Sequence, residues 1–142
     1  MAIAVRTRIN VGEVQLSPQA KKNVFEVLQS NRLSYGRWTK EFERRFAVMH
    51  HRRFAVFVNS GTDALRIGLA AMKERYGWKD GDEVLVPAVT FVASLNVILQ
   101  NNLRPVLVDI ESEYYSMDIF AHFATNGRRV VAAMPVHLFG QP

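Results

Sequence analysis

Apolar residues are arranged along the chain in two patterns, and each pattern predicts one kind of secondary structure. Spacings of three and four residues, as in Phe42, Phe46 and Met49, are typical of an amphipathic helix. Short runs that are apolar throughout are typical of buried strands. The predicted helices are Pro18–Ser30, Thr39–Met49, Thr62–Tyr76, Phe91–Asn101 and Met117–Thr125. The predicted strands are FAVFV at 54–58, EVLVP at 83–87, PVLVD at 105–109 and RVVAAMPV at 129–136.

The order of these elements predicts the fold class. Strands that are apolar throughout and alternate with helices are typical of a parallel sheet that is covered on both faces. We therefore expect an α/β fold with an open, mainly parallel sheet and helices on both faces. Ligands of such sheets bind beyond the carboxyl ends of the strands. The turns to inspect are NSGTD at 59–63, PAVTF at 87–91 and VHLFGQP at 136–142.

Composition limits the classes of protein that fit. With 142 residues, 49% of them hydrophobic, the chain is long enough for one sizeable core, either as one domain or as a piece of a larger one. The absence of cysteine excludes a disulfide framework and thiolate metal sites, and we predict no metal site. Neither a secretory signal nor a run long enough to cross a membrane is found, so we expect a cytoplasmic protein without a membrane partner.

The net charge of +5 does not by itself indicate a nucleic-acid partner. Its one dense cluster is HHRR at 50–53, which is either an anion-binding patch or a solvated turn. The basic residues form no repeating stripe with aromatic residues between them, as a nucleic-acid groove would require. We therefore predict no nucleic-acid partner.

The turn NSGTD combines a helix cap with a feature that a cap does not need. Ser60 and Asp63 have the spacing of a capping box, which explains both residues structurally. Gly61 and Thr62 place a residue without Cβ and a hydroxyl where backbone amides are unpaired, which suits a phosphate. A plain cap and a phosphate site both remain open at this point. The glycine motifs of mononucleotide and dinucleotide sites do not occur in the chain.

The turn PAVTF places Phe91 at the start of the next helix, on the same edge of the predicted sheet. A flat aromatic ring beside a phosphate site can stack on a planar cofactor. A single phenylalanine is more commonly part of the core, so its position beside the phosphate turn is what favours stacking.

Several segments together resemble one known family. NSGTDAL, GDEVLVPAVTFVAS, LRPVLVDIESEYYSMD and MPVHLFGQP, in this order, are similar to signature segments of the DegT/DnrJ/StrS sugar aminotransferases, which depend on pyridoxal 5′-phosphate. RLSYGRWTKEFERRFA is similar to the N-terminal loop and helix of that family. The resemblance extends from about Val14 to Pro142. It implies the aspartate-aminotransferase-like fold, with residues 1–142 as the N-terminal segment and part of the large domain.

The resemblance also implies roles for individual residues. Gly61 and Thr62 would contact the cofactor phosphate through their amides, with the Thr62 hydroxyl as a further donor and Ser60 beside them. Phe91 would stack on the pyridine ring. His137 would close the far side of the pocket, although a lone histidine after an apolar strand is more commonly structural. The residues implied near the substrate are Tyr35, Arg37 and Gln141.

The family transfers an amino group, usually from glutamate, to a keto sugar linked to a nucleotide diphosphate, and the resemblance implies a homo-oligomer. We expect the lysine that holds the cofactor as a Schiff base to be absent, because none of the five lysines is suitably placed. Lys73, for example, is eleven residues beyond Thr62, about 16 Å along the helix. The chain alone is then expected to be inactive. The alternatives are a phosphate-binding α/β module without this cofactor, or a subunit that a partner chain completes.

Overall fold

The computed structural model describes residues 14–118 and 129–140. The chain forms two compact units, Met1–Val56 and Phe57–Pro142. In the described residues, the first unit contains two helices, and the second contains a small parallel sheet with its helices.

The helices of the first unit are α1, Pro18–Gln29, and α2, Arg37–Met49. Helix α1 begins where the sequence predicts, because the hydroxyl of Ser17 accepts a hydrogen bond from the Ala20 amide at 3.1 Å and proline occupies the first position. Helix α2 begins two residues before the predicted Thr39, and its N-cap, Gly36, makes no side-chain hydrogen bond. Ala47 is the one fully buried hydrophobic residue in the described part of these helices.

The second unit contains helices α3 and α4 and a three-stranded parallel sheet with the order β2-β1-β3. Strand β1 coincides with the predicted EVLVP, and the bounds of α3, α4, β2 and β3 lie within a few residues of their predictions. The bounds are α3 Gly61–Tyr76, β1 Glu83–Pro87, α4 Val92–Gln100, β2 Arg104–Val108 and β3 Val130–Ala133. The predicted parallel α/β class is confirmed.

The core of this unit forms around β1 because β1 has a neighbour on each side. Val84 and Val86 in β1 and Val97 and Ile98 in α4 have no exposed surface. Helix α4 packs on β1 and β2, while α3 packs on α4. Leu69 in α3 joins the same cluster. Strands β2 and β3 lie at the edges of the described sheet and are only partly buried, whereas every residue of β1 except the partly buried Leu85 is buried.

Two predicted elements differ from the structure. Residues 54–58 form no strand, and Phe54 and Val56 are about three-quarters exposed, at 76% and 77%. An apolar run becomes a strand only when another strand accepts its backbone hydrogen bonds, and no described segment pairs with this one. Met117 is not helical but forms an isolated antiparallel bridge with Ile110. Most of the predicted helix at 117–125 lies outside the described residues.

Candidate functional site

The candidate site lies at the carboxyl edge of the sheet, where β1 ends and α4 begins. The C-terminal ends of α3 and α4 lie together, because Lys73 near the end of α3 donates to the carbonyl of Asn101, the C-cap of α4, at 2.6 Å. They lie at the opposite, amino edge, because the carbonyl of Asn102 accepts from Gly81, two residues before β1, at 2.8 Å. The N-terminal starts of both helices therefore face the carboxyl edge. Unpaired amides at helix starts carry partial positive charge, which favours anions there.

The start of α3 leaves two backbone amides open. The Ser60 hydroxyl caps the helix by accepting from the Asp63 amide at 3.1 Å, and the Ser60 carbonyl accepts from Ala64 at 3.0 Å. Gly61 and Thr62 donate to no acceptor among the described residues. A Cβ built on Gly61 would meet no atom within 4 Å, so the space beside this backbone is free for a ligand. The turn thus fits a phosphate group as well as a cap.

Asp63 differs in detail from the predicted capping box. Its carboxylate lies 3.5 Å from the Ser60 hydroxyl. It accepts a shorter hydrogen bond, of 2.9 Å, from Arg66 Nε. Arg66 holds the pKa of Asp63 below its usual range, and the pair offsets the negative charge beside the open amides. Sequence reasoning missed Arg66. The three-residue spacing of opposite charges on a helix was the available signal.

Phe91 occupies the N-cap of α4 and projects into solvent, with 74% of its surface exposed. The competing prediction, that Phe91 belongs to the core, is therefore wrong for this chain. An exposed ring at the edge of a sheet, beside a start of a helix, is suited to stack on a planar ligand.

The loops after β2 and β3 complete the described edge. Glu111 accepts backbone hydrogen bonds from Glu113, Tyr114 and Ser116 at 2.6–3.0 Å, an organising role that the sequence did not predict. A Glu followed by polar residues in a loop is too common a pattern to identify this role. The ring of Tyr115 contacts that of Phe139 edge-on at 5.5 Å, which links the two loops.

Asp109 and His137 lie at the starts of these loops. Asp109 Oδ1 accepts from the Ile110 amide at 2.8 Å, so it braces the start of the loop. His137 is exposed, and its carbonyl accepts from the Gly140 amide at 3.0 Å. The role of its imidazole at the cofactor stays a prediction, and Gln141 lies outside the described residues.

Tyr35 and Arg37 lie in the first unit, and their predicted place beside the substrate stays a prediction. Tyr35 donates to Glu43 at 2.9 Å, and Glu43 raises the pKa of that phenol. Arg37 pairs with Glu26 at 2.9 Å and lies over the ring of Trp38 at 4.7 Å. Arg37 also lines a cavity of about 680 Å³ between the end of α1 and the start of α2.

The described ranges, 14–118 and 129–140, contain no group of three or more acidic or histidine side chains that could hold a metal ion. No helix in them is long and apolar enough to cross a membrane. The HHRR cluster at 50–53 lies in an exposed turn at the end of α2.

The chain is similar to known proteins over almost its whole length. A sequence profile of the DegT/DnrJ/EryC1/StrS aminotransferase family matches residues 15–142. The GDP-perosamine synthase of Escherichia coli O157:H7 is 35% identical over 135 residues, which are 94% of this chain and 36% of that protein. The GDP-perosamine synthase of Caulobacter vibrioides is 37% identical over 135 residues, 94% of this chain and 35% of that protein. The chain spans about a third of the length of these curated relatives.

A solved structure shares the fold as well as the sequence. GDP-4-keto-6-deoxymannose-3-dehydratase, crystallised with a trapped PLP-glutamate geminal diamine, is similar with a TM-score of 0.84 and 28% identity. The similarity covers 95% of this chain and 36% of that chain.

Proposed function

Because the chain belongs to the DegT/DnrJ/EryC1/StrS aminotransferase family, we propose that it supplies the phosphate-binding and ring-stacking part of a sugar aminotransferase that uses pyridoxal 5′-phosphate. The observation that carries this proposal is the start of α3, where Gly61 and Thr62 leave amides open beside free space. The exposed ring of Phe91 on the same edge is the second supporting feature.

The residues of the chain have separate tasks in this proposal. The amides of Gly61 and Thr62 bind the cofactor phosphate, with the Thr62 hydroxyl as a further donor, and the positive end of α3 favours its charge. Ser60 holds the helix start in place. Phe91 stacks on the pyridine ring and keeps water from that face. The bound cofactor supplies an electron sink for amino transfer, which side chains cannot provide.

The proposed substrates are a keto sugar linked to a nucleotide diphosphate and glutamate as the amino donor. The names of two relatives support this substrate class, since the Escherichia coli and Caulobacter vibrioides proteins described above are GDP-perosamine synthases. A dehydratase has the same fold in its matching part. We therefore propose that the described residues bind the cofactor and that residues outside them determine which reaction takes place.

We further propose that the chain by itself does not transfer amino groups. Of the two lysines in the second unit, Lys73 is held at the amino edge by Asp80 and Asn101, and Lys79 lies in the turn that leads into β1. The other three lie in the first unit, at positions 21, 22 and 40. An amino sugar formed by the purified chain from glutamate and a keto-sugar nucleotide would contradict this proposal.

Two alternatives use the same open amides. One is a phosphate-binding α/β module without the cofactor, and the other is a subunit whose site a partner chain completes. A homo-oligomeric, cytoplasmic enzyme is the form we propose, in line with the family resemblance. Binding of inorganic phosphate without any preference for the pyridine ring would favour the simple phosphate module.

The proposal is tested by titrating the chain with pyridoxamine 5′-phosphate in a calorimeter. This probe has an amine in place of the aldehyde, so it cannot react with surface lysines. Gly61→Val should weaken binding by about tenfold or more, because the new side chain fills the space of the phosphate and removes charge-assisted hydrogen bonds. Gly68→Val is the matched control, because Gly68 lies in the same helix and also has open space around its Cβ position.

The outcome is decisive in either direction. Weakened binding in Gly61→Val with unchanged binding in Gly68→Val supports a phosphate site at the start of α3. Equal affinities in the parent chain and both variants would make the turn a plain cap, and a parent chain that binds no probe would refute the proposal.

A further inference from the structure

The start of α4 lacks the residue that usually caps a helix. Ser17 and Ser60 cap α1 and α3 through their hydroxyls, whereas the N-cap of α4 is Phe91, which makes no side-chain hydrogen bond. Replacing a good cap by an apolar residue destabilises a helix by about 1 kcal/mol. The ring is also largely exposed, so its burial contributes little to the free energy of folding. Neither the uncapped helix start nor the exposed ring stabilises the fold, so a binding role explains Phe91 better than a structural one.

The residues on either side of Phe91 are joined by another hydrogen bond. Thr90 Oγ1 and Ser94 Oγ lie 2.9 Å apart, and either hydroxyl can donate to the other. Ser94 is buried, with 6% of its surface exposed, and its amide donates to the Phe91 carbonyl at 3.0 Å. The bond therefore closes a short ring of backbone around Phe91 and anchors it to the core side of α4.

We infer that Thr90 and Ser94 are positioning residues for Phe91. Their hydroxyl pair links the residue before the N-cap to the third residue of α4, and it holds the backbone of Phe91 so that the aromatic ring projects from the carboxyl edge. The role of the ring as a cofactor platform rests on the proposed function. The hold of the pair on the backbone does not, since it follows from the hydroxyl geometry alone.

A purely structural role predicts a different pattern. Thr90→Val leaves the buried Ser94 hydroxyl without a partner, whereas Ser94→Ala removes that hydroxyl altogether. If the pair were purely structural, the free energy of unfolding should fall more in Thr90→Val than in Ser94→Ala. A positioning role predicts that both variants loosen the start of α4 to a similar extent. It also predicts that Thr90→Ser, which keeps the hydroxyl, behaves like the parent chain.

The first measurement needs no ligand. Amide hydrogen exchange at position 94, whose amide donates to the Phe91 carbonyl at 3.0 Å, should become several-fold faster in both Thr90→Val and Ser94→Ala, after correction for the intrinsic exchange rate of each sequence. It should remain at the parent rate in Thr90→Ser. Unchanged exchange in both disruptive variants would overturn the inference, whether or not the chain binds a cofactor.

The second measurement is a double-mutant cycle on the affinity for pyridoxamine 5′-phosphate. Ser94→Ala should weaken binding by up to about tenfold, the range that a stacked ring explains. In the Phe91→Ala background, Ser94→Ala should have no further effect, because no ring remains to be positioned. A full additional loss in that background would show that Ser94 acts independently of Phe91 and would overturn the inference. A parent chain without affinity refutes the proposed function, and the exchange rates then decide the inference.

Discussion

The two edges of the sheet in the second unit differ in how their polar groups are satisfied. At the amino edge, Lys73 binds both Asp80 and the Asn101 carbonyl, and charged side chains face each other across neighbouring segments. The further pairs at this edge are Asp82 with Arg129 and Glu83 with Arg104. At the carboxyl edge, the amides of Gly61 and Thr62 have no described acceptor and the ring of Phe91 is exposed.

The contrast separates stability from binding within the same helices. Helices α3 and α4 each run from one edge to the other, so each has an end that the protein satisfies by itself and an end that it leaves open. Polar groups that a chain leaves unpaired at a sheet edge are available to a ligand. Substitutions at the two edges should therefore have opposite signatures, and each of the following experiments tests one of them.

The largest effect is expected at the amino edge. Lys73→Met should lower the free energy of unfolding by about 1–2 kcal/mol, because the partly buried Asn101 carbonyl and the exposed Asp80 carboxylate lose a charged donor. The affinity for pyridoxamine 5′-phosphate should not change, because Lys73 lies at the opposite end of α3 from Gly61. Urea denaturation and calorimetric titration measure the two quantities.

Lys79→Met is the matched control for this prediction, because it makes the same change at an exposed position of the neighbouring turn. Its effect on unfolding should stay within about 0.5 kcal/mol. If Lys73→Met weakened binding while leaving stability unaltered, the assignment of the amino edge to stability would be wrong.

The carboxyl edge should show the reverse behaviour. Phe91→Asn should stabilise the chain by about 1 kcal/mol, because asparagine is a good N-cap, and should weaken the binding of pyridoxamine 5′-phosphate. Thermal denaturation reports the gain in stability. Phe91→Ala removes the ring without adding a cap, so it should weaken binding without stabilising. Loss of stability in Phe91→Asn would mean that the ring contributes to the fold.

A smaller effect is expected from the loop after β2 at acidic pH. The amides of Tyr114, Ser116 and Glu113 donate to Glu111 and hold the pKa of its carboxyl below the ordinary value of 4.5. A depressed pKa stabilises the folded state above the unfolded pKa, and this contribution is lost as the pH falls through the folded pKa. Glu111→Gln should therefore be less stable than the parent chain at neutral pH, with a difference that shrinks below about pH 4.5.

Urea denaturation over a pH series measures this difference. Glu74→Gln makes the same change of charge on an exposed part of α3 and should leave the acid dependence close to that of the parent chain. A gap between parent and Glu111→Gln that stays constant down to the most acidic pH would show that ionisation of Glu111 does not organise the loop.

Local features of this protein were predictable because neighbouring residues produce them. Ser17 with Pro18, and Ser60 with its glycine, mark helix starts through hydrogen bonds within one turn. The apolar run EVLVP at 83–87 was bounded correctly, since it coincides with β1. The two candidate binding features, the open turn at Gly61 and the aromatic at Phe91, are likewise visible as residue types at helix starts.

The tertiary structure decided what depends on distant partners. The run at 54–58 has the apolar pattern of β1, yet in the described part of the chain only β1 has a strand on each side to accept its backbone hydrogen bonds. Burial of Phe91 could not be judged from the sequence either, because exposure depends on which elements pack over a residue. The sequence alone determined where α1 and α3 start and which chemical groups stand at those starts. Only the packing of α4 on β1 and β2 decided which of those groups stay open, since pairing and burial are set by residues far apart in the chain.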